Sequence, residues 1–70
     1  MKIDKNSYLL MLAKNSMNTR DLAKECGIGE STLSKIINGL SEPRPATLGR
    51  IAKVLGVDVE KIVKEVKLHD

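Results

Sequence analysis

Apolar residues recur along this 70-residue chain in stretches with helical spacing. The run YLLMLA from Tyr8 to Ala13 is almost wholly apolar. Leu22, Ala23 and Cys26 then share one face of a short segment, Leu33, Ile36 and Ile37 follow an i, i+3, i+4 pattern in the next, and Leu48, Ile51, Ala52 and Leu55 do so in another. Val59, Ile62, Val63 and Val66 make a last stripe that leaves Lys61, Lys64 and Lys67 to water. The pattern predicts an all-α fold of five helices. The first runs from about Ser7 to Asn15, after a polar and frayed Met1 to Asn6, and Ser16 and Met17 connect it to the second.

Polar and glycine positions mark where these helices start and stop. Asn18 is an N-cap residue with Asp21 three positions on, where a carboxylate meets the positive helix terminus. Gly27 can end that helix in a left-handed conformation, Ile28 plugs the turn, and Gly29 caps a helix from Glu30 to about Asn38. Two short helices joined by a tight glycine turn are the outline of a helix-turn-helix. At about 100° per residue, Ser31, Ser34, Lys35 and Asn38 fall opposite the apolar stripe of the second one. Downstream, Pro43 and Pro45 forbid a continuous helix and mark an extended loop, with Pro45 suited to the first turn of helix four. Gly56 ends that helix and Asp58 can cap a fifth.

The block TRDLAKECGIGESTLSKIIN, Thr19 to Asn38, resembles the helix-turn-helix of the lambda-repressor and Cro-type (XRE-like) DNA-binding family. Leu22-Ala23, the turn Gly27, Leu33, Ile36 and Asn38-Gly39 match its pattern, and PRPATLGRIAKVLGVD looks like its fourth helix and the entry to its fifth. The resemblance covers roughly Tyr8 to Val63. It implies a compact five-helix lambda-repressor-like domain, residues 1–70 with a core of about 7–67, that places one helix in the major groove of duplex DNA. The positions matching the family's base-reading sites are Glu30, Ser31 and Lys35, with Thr32 and Ser34 beside them. Lys35 can donate to guanine and Ser31 can donate or accept. Glu30 either accepts from cytosine or serves as an N-terminal charge favouring the helix dipole. Phosphate contacts fall to Thr19, where the family usually carries glutamine, to Asn38, and to Arg44, which lies along the backbone, enters a narrow minor groove or remains a solvated loop charge. Many members pair an arginine of helix one with a glutamate before the Asn-Gly. Here those positions are Leu12 and Ile37, a hydrophobic pair without the desolvation cost of a buried ion pair.

Charge and composition narrow the function. Twelve Lys and Arg against nine Asp and Glu give a net charge of +3, which suits a polyanion. Tyr8 is the only aromatic residue, which disfavours stacking on RNA or single strands. The lone Cys26 excludes an internal disulfide or a cysteine-based zinc site and reads as core. His69 has no evident partner, so no catalytic residue, metal or cofactor is implied. YLLMLA is too short to span a bilayer, and the protein is expected to be cytoplasmic. The reading is a sequence-specific duplex-DNA regulator, repressor-like. The alternatives are a protein-interaction module on the same fold, such as an antirepressor, or an autoregulating antitoxin. Leu9 and Leu10 exceed what a single core stripe uses, which predicts a homodimer or a protein partner through helix one. Val66 and Leu68 either join that surface or fold back over helix one within the subunit.

Overall fold

The computed structural model describes residues 2–64. Among these, four α-helices, α1 Lys5–Lys14, α2 Thr19–Cys26, α3 Glu30–Ile37 and α4 Pro45–Leu55, are followed by a single 3-10 turn at Val59–Lys61. α2 packs against both α3 and α4. One buried cluster joins Tyr8 and Leu12 of α1 to Leu22, Ala23 and Cys26 of α2, Leu33, Ile36 and Ile37 of α3, and the predicted stripe of α4. Leu12 and Ile37 are both in it, so the apolar replacement of the family's ion pair lies in the core.

Local chemistry sets the helix ends. Asn18 and Asp21 form a reciprocal capping box at α2, the Asn18 side chain accepting from the Asp21 N–H at 2.8 Å. Gly27 ends α2 at φ 72, where an L side chain would be strained. There the Ile28 N–H reaches back to the Ala23 carbonyl and the Gly27 N–H to that of Lys24. The same paired closure ends α3 at Gly39 and α4 at Gly56. At α1 it falls on Ser16, the one non-glycine residue with positive φ (54) among the described residues, with Met17 N–H bonded to the Leu12 carbonyl. A left-handed non-glycine residue costs on the order of 1–2 kcal/mol, and glycine's extra freedom in the unfolded chain takes back less than that. Ser16→Gly is therefore expected to stabilise the fold by roughly 0.5–1 kcal/mol. A denaturant midpoint that fails to rise would contradict this.

Both ends of the described segment differ from the expectation. Residues 1–6 were expected to fray, yet Ile3 is buried and pairs antiparallel with Val63. The Asp4 N–H donates to the Ile62 carbonyl and the Lys64 N–H to that of Lys2. The Asp4 carboxylate then accepts from the Asn6 and Ser7 N–H groups, so α1 begins at Lys5 rather than Ser7. It ends at Lys14, because Asn15 caps it by donating its side-chain amide to the Met11 carbonyl and, across the fold, to that of Leu55 at 3.0 Å.

Nor is there a fifth α-helix within the described residues. Val59, Ile62 and Val63 are β-branched and lose rotamer freedom in a helix. The N-terminal arm offers Val63 an extended partner, and the fully buried Ile62 fills the core between them. The expectations for Val66, Lys67, Leu68 and His69 lie outside the described residues. No described helix is long and apolar enough to cross a membrane.

Candidate nucleic-acid interface

α3 turns Leu33, Ile36 and Ile37 inward, which leaves Ser31, Ser34 and Lys35 exposed on the opposite face. Lys35 makes no side-chain hydrogen bond or ion pair among the described residues, so its ammonium is available to an acceptor. Asn38 follows as the C-cap rather than the last helical residue, and its amide is committed. It donates to the Ser34 carbonyl at 2.9 Å and accepts from Lys5 Nζ at 3.0 Å. The Ser34–Asn38 pair is thus a braced edge of α3, tied to the start of α1.

The other candidate residues have different surroundings. Glu30 faces Arg20 across the turn, with Nε 3.7 Å from its carboxylate and both side chains well exposed. A pair this open contributes about 0–1 kcal/mol, so it orients the two groups more than it stabilises the fold. Arg20 escaped the sequence reading because only the packing of α2 on α3 brings it to Glu30. Thr32 lies on the flank of α3 and lines a hollow of about 240 Å³ with Ile28, Ile36 and the loop residues Pro43 and Arg44. Arg44 is exposed there, immediately before Pro45 opens α4.

Thr19 is half-buried, and its hydroxyl pairs with Tyr8 Oη at 2.9 Å. Its side chain is accordingly turned towards α1. What α2 presents at this end is the backbone N–H groups of Thr19 and Arg20, since that of Asp21 is taken by the Asn18 cap. Burial raises the Tyr8 phenol above its ordinary pKa, with the Thr19 hydrogen bond acting in the opposite direction. Cys26 is buried too. Desolvation raises its thiol pKa, against the charge of Arg50, whose Nη1 donates to the Cys26 carbonyl at 3.3 Å. A protonated, enclosed thiol at the end of α2 is packing material.

Three leucines stand out from the folded surface. Leu9 and Leu10 on α1 are 50% and 53% exposed, and Leu40, in the loop after α3, is 78% exposed. Met17, Ile28 and Val57, which hold the corresponding place after the other three helices, pack against the core.

The geometry is that of two short helices at a glycine turn, the second with a polar, cationic outer face. The sequence pattern of the helix-turn-helix family, of the XRE/lambda-repressor type, matches residues 9–62. No curated protein and no solved structure matches the chain.

Proposed function

The chain belongs to the XRE/lambda-repressor-type helix-turn-helix family, and from that premise we propose that it is a cytoplasmic, repressor-like regulator that reads duplex DNA with α3. The observation that carries the reading is the outer face of α3, where Ser31 and an unengaged Lys35 stand opposite a fully buried stripe. Eight residues at 1.5 Å each make α3 about 12 Å long, comparable to the width of the major groove. Lys35 and Ser31 then reach base edges, with Ser34 and Thr32 at the margins. Glu30 is held back by Arg20 until the groove offers a cytosine amine or a phosphate draws Arg20 away. Arg44 and the N-terminal backbone of α2 meet phosphates on either side. Thr19 contributes there through its backbone. Asn38 contributes mainly by bracing Ser34.

Exposed Leu9 and Leu10 support a homodimer that presents two α3 helices to half-sites about one helical turn apart. The same leucines favour a second reading, a protein-interaction module such as an antirepressor or an autoregulating antitoxin. Selection of bound fragments from random duplex DNA separates the two. A near-palindromic motif is expected, bound by two protomers in sedimentation, with Leu9→Lys reducing the stoichiometry to one. Absence of any enriched motif would reject the DNA reading, and a non-repeated motif bound by one protomer irrespective of Leu9→Lys would reject the dimer.

A further inference from the structure

The pairing of Ile3 with Val63 collects positive charge beside α3. Because Ile3 and Val63 form an antiparallel bridge, Lys2 and Lys64 stand directly opposite each other, and with Ile3 turned into the core both project to the outside. Like charges placed opposite on paired strands are destabilising. Lys5, at the start of α1, joins them. Together with Asn38 and Gly39 these three lysines line a hollow of about 320 Å³, and no carboxylate lines it among the described residues. Glu42, in the loop after α3, is near enough to feel the charge of Lys2. Lys5 is oriented by its 3.0 Å bond to Asn38 Oδ1, which leaves two further donors on the same ammonium.

We infer that Lys2, Lys5 and Lys64 form a phosphate clamp that holds a backbone phosphodiester of the duplex just beyond the C-terminal end of α3. The inference rests on the DNA reading proposed above. Its geometry follows from length: a helix of about 12 Å lying across a groove of about the same width brings whatever stands past its last residue to the sugar-phosphate wall. The hollow begins at the C-cap residue of α3, Asn38, whose side chain is also bonded to Ser34 on the exposed face. An anion placed there relieves the mutual repulsion of three lysines, so binding gains what folding forgoes. No base edge is involved, and the clamp adds affinity without sequence preference.

The test is the salt dependence of duplex binding by the full chain, compared with the Lys2→Gln, Lys5→Gln, Lys64→Gln triple variant on the selected site. Removing one phosphate interaction lowers the slope of log K against log salt by about 0.9. The triple variant is expected to show a decrease of at least that size, to weaken roughly tenfold or more at low salt, to keep its preferred sequence, and to melt no lower than the wild type. Lys2→Gln alone, outside every helix, serves if the triple variant does not fold. Duplexes carrying a single neutral methylphosphonate locate the clamped phosphate: at one flanking position the wild type should lose affinity and the variant should not. Wild-type binding with an unchanged slope in the variants overturns the clamp but leaves the DNA reading standing. Failure of the wild type to bind any duplex overturns both. Amide shifts of Lys2 and Lys64 with inorganic phosphate, accompanied by unchanged duplex binding, would assign the hollow to a free anion and overturn the clamp.

Discussion

Ile37→Glu is expected to remove a large share of the protein's folding stability. Ile37 is 8% exposed, in the apolar cluster that also holds Leu12, and its outer edge lines the hollow shared by Lys2, Lys5 and Lys64. An unpaired buried charge costs about 3–5 kcal/mol against a total stability of roughly 5–10 kcal/mol for a domain of this size, and a carboxylate that reaches those lysines costs less. The deficit relative to wild type should narrow in acid. Burial raises the new carboxyl's pKa above its unfolded value, so its destabilisation is fully present above the folded pKa and fades as the group becomes neutral below it. Adding Leu12→Arg should restore part of the lost stability by rebuilding the family's ion pair, although Leu12→Arg alone is itself destabilising. Thermal melts of the two single variants and the double variant check this. An unchanged midpoint for Ile37→Glu, with no rescue by Leu12→Arg, would mean that the carboxylate turns to water or to the lysines of the hollow and not to Leu12.

The second large effect separates base reading from anchoring. On the proposed reading Lys35→Ala is expected to cost about 1–3 kcal/mol on the selected sequence and to relax choice at one base pair, because it removes the proposed donor to guanine from the exposed face of α3. Arg44→Ala should weaken binding on all sequences alike and reduce the salt slope by the amount of about one phosphate. Neither change should alter the melting temperature by much, since both side chains are exposed and neither makes a bond within the described fold. Titrations against the selected site and its single-base variants resolve the two patterns. Full affinity in both variants would remove α3 from the groove.

Helix ends and inward faces were legible from the chain because they depend on neighbours three or four residues apart. Asn18 with Asp21, Gly27 at its left-handed turn, Pro45 opening α4 and the stripes at Leu33 and Leu48 all act within one or two helical turns. The exposed character of Ser31, Ser34 and Lys35 followed from the same periodicity. The apolar pair Leu12 and Ile37 was visible as a departure from the family's pattern, and both lie in the core. What the chain could not disclose depended on partners far away in sequence. Nothing near Ile3 announces Val63, and without that pairing residues 1–6 read as loose and Val59 onward as a helix.

The same limit governs the candidate site. Thr19 turns to Tyr8, Glu30 to Arg20, and Asn38 to Lys5, each pairing set by how two elements pack rather than by either element's own sequence. By itself the sequence determined which backbone segments are helical and which side of α3 faces out, because backbone hydrogen bonding and side-chain periodicity are local. Only the tertiary structure decided which polar groups on that side are already engaged and that three lysines gather at its end. Hydrogen bonds and charges act across space, irrespective of order along the chain.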